Sequence, residues 1–322
     1  MREVVEKAIR EATEKGRALY EGDNGGDAVD DGPRDLLGHP VRGGATRKLR
    51  RGAMTLSGPV EGVRLRALSL GAGIQSTTMA LMAAHGEIGP MPDVALFADT
   101  GEEPAPIYEQ VRWLAWGNVL PFPVHTVGPG HRLGDSLLDR RDGTARFVSV
   151  PFFTACGGQA RRQCTREYKT EHLVRAQRKL MGYARGQRVR DRCEVWIGFT
   201  TDEIVRCGAA FERWAVHRYP LIEKRMSILD CVAWLERHDY PVPMRSRCVC
   251  CPYRTNRDWH DLKRRDPDGF ERAVMLDDAV RHAAGMREAG YLHHSRRPLR
   301  DVDLGAHDDP TLDFGCEGEC GT

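Results

Sequence analysis

One stretch constrains the fold of this chain more than any other. Leu65-Arg66-Ala67-Leu68-Ser69-Leu70 is followed by Gly71-Ala72-Gly73, and then by Ile74-Gln75-Ser76-Thr77-Thr78-Met79-Ala80-Leu81-Met82. The first part reads as a buried strand, the second as a tight turn and the third as a helix. Two glycines let a ligand approach the backbone with no side chain in the way. The new helix presents unpaired N–H groups and the positive end of its dipole. Ser76, Thr77 and Thr78 add hydroxyl groups, and the whole makes a seat for an anion such as phosphate or sulfate. A glycine connection also serves packing alone, so the turn by itself leaves both readings open.

The next segment narrows the choice. Pro92-Asp93-Val94-Ala95-Leu96-Phe97-Ala98 is a second apolar run, and it ends in Asp99-Thr100-Gly101. Strand, turn, helix, strand is a βαβ unit with both turns at strand C-terminal ends, where open parallel sheets bind ligands. The expected fold is therefore α/β: an open, mostly parallel sheet with helices on both faces and a helical C-terminal extension. Further helices are expected over 107–116, 133–138 and 168–181 and within 222–238, with mostly helical chain from 258 to 290. Strands are expected over 120–127 and 193–199, and an extended segment over 147–153.

Three regions follow from this pattern. Residues 1–62 read as mostly disordered, with a short amphipathic helix over 2–20 and a Gly-, Asp- and Arg-rich linker. The patch Arg47-Lys48-Leu49-Arg50-Arg51 in it is either solvated charge or a weak RNA or DNA contact. Residues 63–254 form the nucleotide-binding domain, and 255–322 form a helical extension with a cysteine-containing tail.

Composition removes several classes. With 41% apolar residues the chain can build a real core, and a net charge of +2 gives no global steering toward nucleic acid. No apolar run reaches the roughly 18 residues of a membrane span. The charged start Met1-Arg2-Glu3-Val4-Val5-Glu6-Lys7 lacks an apolar signal region, so a cytoplasmic location is expected. Ten cysteines in such a setting argue for metal or redox chemistry over a disulfide framework.

Cys248-Val249-Cys250-Cys251 holds a Cys-x-x-Cys pair, Cys248 and Cys251, followed by Pro252. A tight turn brings two such sulfurs to one side, and zinc, an iron–sulfur cluster or a redox dithiol each fit. Cys164 lies 84 positions upstream of Cys248 (248 − 164), beside basic residues in Gln163-Cys164-Thr165-Arg166-Glu167-Tyr168-Lys169.

In sequence, Ser69 to Ser76 resembles the PP-loop of the adenine nucleotide α-hydrolase superfamily. Its ATP-pyrophosphatase members carry Ser-Gly-Gly-x-Asp-Ser, where this chain has Gly71 at the first Ser and Gln75 at the Asp. The Gly-Ile-Gln variant is similar to the loop of the phosphoadenosine phosphosulfate (PAPS) and adenosine phosphosulfate (APS) reductases. Asp99-Thr100-Gly101 resembles the Asp-Thr-Gly after the second strand of that group. The resemblance covers roughly residues 65–254 and the last few residues, and it implies a Rossmann-like fold of the HUP/PP-loop type.

It also implies a site. Ser69, Gly71, Gly73, Gln75, Ser76, Asp99, Thr100 and Gly101 would bind the adenine nucleotide: APS, PAPS or ATP. Arg161, Arg162, Lys169 and Arg206 would surround its phosphosulfate or triphosphate, Arg being suited to bidentate capture of such oxyanions. APS reductases hold a 4Fe–4S cluster with a Cys-Cys pair and a later Cys-x-x-Cys. Here Cys164, Cys248 and Cys251 would hold it, with Cys156, Cys193 or Cys250 as a fourth ligand or an open iron. The tail Glu319-Cys320-Gly321 resembles the family's C-terminal Glu-Cys-Gly, which makes Cys320 the expected catalytic nucleophile, with Cys316 nearby.

Two activities are compatible with this pattern. One is sulfonucleotide reduction with a thioredoxin-like reductant. The other is ATP-dependent sulfur transfer, with a sulfur donor, to tRNA, DNA or a small molecule. A nucleic acid acceptor would use Arg296, Arg297 and Arg300, and homo-oligomers are allowed by either. A non-catalytic nucleotide or cluster sensor is a third reading without positive support.

Overall fold

The computed structural model describes residues 52–141, 149–281 and 288–305. Its centre is a six-stranded sheet of β1 (Ala53–Thr55), β2 (Leu65–Leu70), β3 (Val94–Ala98), β4 (Val124–Val127), β6 (Cys193–Trp196) and β7 (Ala215–Arg218). The order is β1-β7-β6-β2-β3-β4, and every neighbouring pair is parallel. A separate antiparallel pair joins β5 (Phe153–Thr154) to β8 (Gly290–Tyr291).

Helices α1 (Ile74–Ala84), α2 (Ala105–Leu114), α3 (Asp135–Arg141), α4 (Glu171–Leu180), α5 (Pro220–Glu223), α6 (Ile228–Arg237), α7 (Asn256–Arg265) and α8 (Pro267–Arg281) flank the sheet. This is an α/β, Rossmann-like arrangement with a helical C-terminal region. Both sheet faces are covered, as the strand period of two requires. Leu68, Leu70, Ala95, Phe97 and Trp196 point into one core with α1, α2, α6, α7 and α8. Ala67, Val94, Leu96, Ala98 and Val195 point into the other, which is covered by Leu173 of α4 and by Met181. Helix α1 is buried along its whole length from Ser76 to Ala83, between the sheet and α6.

Several expectations need correction. The sheet begins at Ala53, inside the segment read as linker, because β1 pairs with β7 through Ala53↔Val216 and Thr55↔Arg218. Strand β7 itself was not marked in the sequence. The helix expected from 168 is entered through a π-helical turn, Thr165–Thr170. Of the breaks expected in the 258–290 stretch at Pro267 and Gly269, the first is present, α7 ending at Arg265 and Pro267 opening α8 where proline needs no N–H partner, whereas Gly269 lies inside α8. The C-terminal region is helical, as expected, and packs into the main core: Trp259, Leu262, Phe270 and Leu276 share one core with Leu68 and Met79.

The expected helix over 2–20, the basic patch at 47–51, Cys316 and Cys320 lie outside the described residues. Among the described residues no helix is long and apolar enough to cross a membrane.

Candidate active site

Strand β2 has β3 and β4 on one side and β6, β7 and β1 on the other, so the sheet changes direction between β2 and β6. Ligands of such sheets bind outside the carboxyl ends of the strands at that point. There the chain turns through Gly71-Ala72-Gly73. Ala72 holds a left-handed φ of 56° with its methyl fully buried. Gly73 caps α1 with no side chain on the first N–H groups, which leaves them for a ligand.

The glycines matter through what lies against them. A Cβ at Gly73 would stand 3.1 Å from both Cβ and the backbone N of Ser246, and one at Gly71 would stand 3.4 Å from Ser246 Oγ. The 245–251 loop, which carries the cysteines, therefore rests directly on the turn. Of the three hydroxyls expected in the seat, one belongs to it. Ser76 Oγ accepts the Gly71 N–H at 3.1 Å, whereas Thr78 donates back to the Ile74 carbonyl at 2.8 Å. Thr77 is buried inside the helix packing, its hydroxyl without a hydrogen-bond partner. Ser69 is half-buried near the end of β2.

The loop leaving β6 closes the seat. A Cβ on Gly198 would come within 3.2 Å of Ser76 N and Cα. Gln75 Nε2 donates to Thr200 Oγ1 at 3.2 Å and to Glu203. Arg206 forms an ion pair with Glu203, and its guanidinium lies 4.7 Å from the centre of the Phe199 ring. Its Nε and Nη2 are buried with no hydrogen-bond partner, two donors that an anionic oxygen can satisfy.

The second turn divides its work. Asp99 Oδ1 accepts the Gly101 N–H at 2.7 Å and the Tyr108 hydroxyl at 2.8 Å, so this carboxylate closes its own turn. Burial, and then the bond to Asp99, push the Tyr108 hydroxyl well above its ordinary range, and it stays protonated. Gly101 has φ 71°, and a Cβ there would lie 3.0 Å from Arg132 Cα, so glycine is required. Thr100 faces inward: it donates to Glu103 Oε1 at 3.0 Å and lies 3.3 Å from Cys248 Sγ.

Glu103 is the residue that sequence reasoning missed. Its Oε1 accepts from Cys248 Sγ at 3.3 Å and meets Lys169 Nζ at 3.5 Å, with both partners of that ion pair buried. Its Oε2 is buried with no hydrogen-bond partner. The sole sequence signal was an acidic pair, Glu102-Glu103, directly after Asp-Thr-Gly. Ser246 and Glu203 were equally illegible as site residues, because each acts across a distance in sequence.

The cysteine loop is anchored by charge. Cys251 N–H donates to the Cys248 carbonyl at 3.0 Å. The wholly buried Arg254 donates from Nε to the same carbonyl at 3.2 Å, and burial lowers its pKa below the usual arginine range. Val249 N–H donates to the Glu102 carbonyl at 2.7 Å, tying this loop to the second turn. Cys164 opens the π-helical turn that carries Lys169. The Cys250 thiol is pushed well above its ordinary value by burial first, then by the charges of Glu102 and Cys164. Arg162 donates to Thr165 Oγ1 and lies 5.7 Å from the centre of the Tyr253 ring, next to this loop. Arg161 is exposed.

The other thiols separate cleanly. Cys193 lies in the core on the opposite face of the sheet and, like Cys207 and Cys231, is pushed up to about 12 by burial. Cys193 is thus no fourth ligand, while Cys250 adjoins the site. Cys156 is exposed, with its N–H on Glu288 at 3.1 Å.

The donor set bears on which metal fits. One tetrahedral ion at about 2.3 Å from each thiolate needs sulfurs about 3.8 Å apart. Among the described residues, none of these cysteines belongs to a set of three ligand atoms within 4.8 Å.

No family model, curated protein or solved structure matches this chain. Its chemistry has to come from these residues.

Proposed function

We propose that the chain is a sulfonucleotide reductase-like enzyme. The anionic end of APS or PAPS sits on the backbone amides between the Gly71 and Ser76 positions, at the start of α1, and thiols carry out the reduction. One observation carries this reading: Ser246 lies against Gly73, two residues from Cys248, so the anion seat and the thiols are neighbours. The unmatched donors of Arg206 support it, as does Arg162 beside the cysteine loop.

Cys164, Cys248 and Cys251 would hold a 4Fe–4S cluster, which when bound supplies concentrated positive charge and redox capacity beside the nucleotide. The chain's own residues do the rest. Lys169 and Arg254 balance thiolate charge; a Cys248 thiolate no longer donates to Glu103, and the Thr100 hydroxyl 3.3 Å away is then its hydrogen-bond donor. Cys320 on the tail is the nucleophile in this reading. Its thiolate attacks the sulfonyl sulfur, the S–O bond to phosphate breaks, and the nucleotide leaves with that electron pair. A thioredoxin-like dithiol then attacks the Cys320 sulfur, and sulfite leaves with the electrons of the S–S bond to Cys320. The second thiol of the reductant closes a disulfide and frees Cys320.

The test is sulfite formation from APS and from PAPS under anaerobic conditions with a dithiol reductant. Sulfite is expected from one of them, lost in Cys320→Ser, with the visible chromophore lost in Cys164→Ala. Absence of sulfite from both, with the chromophore intact, sinks the proposal.

A second reading is ATP-dependent sulfur transfer. What favours it is that the described thiols border the seat without any need of the tail. Exposed Arg296 and Arg297 would then face a nucleic acid acceptor. Pyrophosphate release from ATP that depends on an added acceptor would select it.

A further inference from the structure

At the far end of α1, one helix length or about 16 Å from the anion seat, three side chains converge that the proposed chemistry does not use. A ring nitrogen of His85, a ring nitrogen of His238 and a carboxylate oxygen of Glu87 all lie within 4.8 Å of one another. His85 is the C-cap of α1 and His238 is the C-cap of α6.

Each ligand is oriented by a partner behind it. The Trp234 carbonyl can only accept, so His238 Nδ1, 2.8 Å away, carries a proton, and Nε2 is the nitrogen left to offer a lone pair to a metal. That nitrogen faces Glu87 Oε1 at 3.9 Å. Trp234 Nε1 donates to both oxygens of Glu87, at 3.1 and 3.2 Å, and fixes the carboxylate plane. His85 Nε2 bonds the Tyr240 hydroxyl at 2.9 Å; when Nε2 donates that bond, Nδ1 offers the lone pair. The Trp234 ring stacks on His238 with centroids 4.0 Å apart and so holds the imidazole in place. A ligand histidine whose other nitrogen is tied to a carbonyl or hydroxyl is the usual support of a metal site. Both helices also end here, and their terminal carbonyls and dipoles favour a cation.

We propose that His85, Glu87 and His238 bind a borderline divalent transition ion such as zinc, with the remaining positions open to solvent. The ion ties the C-terminal end of α1 to that of α6. It thereby steadies the segment from His238 to Ser246 that leads to the cysteine loop. The site is independent of whether the thiols hold a cluster, because no cysteine takes part.

The experiment is a Co(II) titration of the full chain, prepared anaerobically and freed of loosely held metal, followed by absorption and by tryptophan fluorescence. The wild type should bind one more Co(II) per chain than the His85→Ala/His238→Ala double variant. The extra ion should show ligand-field bands without thiolate charge transfer, should quench Trp234, and should be displaced by Zn(II). Glu87→Gln should weaken that ion at least tenfold. His85 and Glu87 are exposed, so Glu87→Gln gives a folded comparison should the double variant misfold. Equal Co(II) affinity in the wild type and in Glu87→Gln, or binding of the extra ion with a thiolate signature, would overturn the proposal.

Discussion

Gly73 and the Glu103–Lys169 pair govern the site at the level of single residues. Gly73 has an ordinary φ of −86°, so it is glycine for space and not for conformation. A methyl there meets Ser246 Cβ and N at 3.1 Å, both close to rigid backbone. Gly73→Ala should therefore cost about 1–3 kcal/mol, read as a lower urea midpoint, and should weaken nucleotide binding. Unchanged binding would show that the loop moves aside freely. The ion pair makes a different prediction. Lys169 and Glu103 are both buried, so removing one partner leaves the other's buried charge less well balanced. Glu103→Gln or Lys169→Met alone should each cost roughly 3–5 kcal/mol, and the double variant less than the sum. Additive losses in the denaturation cycle would mean that the two do not depend on each other. The glycine turn and the Cys-x-x-Cys loop were legible as local patterns, whereas Gln75 and Cys164 were named from the resemblance. Glu103, Glu203 and Ser246 were neither, since nothing in their neighbours in sequence says which distant turn they touch.

At the level of elements, the cysteine loop and α7 are one unit. Thr255 and Asp258 form a capping box at the start of α7, and Asp258 Oδ2 also meets Arg247 Nη1 at 2.8 Å. Burial alone would raise the Asp258 carboxyl, but Arg247 and Arg254 outweigh it and hold it below 3.8. A carboxyl depressed in the fold contributes stability that is present above its unfolded value and lost as pH falls through the folded one. The loop should stay anchored at pH 5 and loosen only below 3.8, which amide exchange of residues 245–255 against pH can follow. Asp258→Ala loses both the cap and the partner of a buried arginine, at about 3 kcal/mol or more. Early opening of the loop in that variant at pH 7 is the expected result. Strand-turn-helix at 65–84 was readable from apolar runs and glycine. Strands β1 and β7 were not: β1 is a three-residue edge strand, defined by its partner β7 and not by its own pattern.

For the molecule as a whole, two histidines set the acid side of stability. Burial lowers His217 from 6.5 to about 4 and His293 from 6.5 to about 3. The unfolded chain takes up protons near 6.5 while the folded chain does not, so stability is full above 6.5 and declines as pH falls toward 4 and then 3. The thermal midpoint should therefore drop between pH 7 and pH 4, and His217→Gln should flatten part of that slope. A midpoint independent of pH over this window would contradict the burial of both rings. The parallel sheet was foreseeable in kind from a single βαβ unit, though the strand order with its reversal beside β2 and the shared core of the C-terminal helices depend on packing across the whole chain. One contact then acquires a meaning of its own. The serine at 246 leans on the glycine turn and shares a short loop with Cys248, so a ligand on the turn that displaces the serine pulls on the loop that holds the thiol. On the proposed reading reciprocity then applies: the factor by which a nucleotide on the turn changes the equilibrium for oxidising or loading that sulfur equals the factor by which the sulfur's state changes nucleotide affinity.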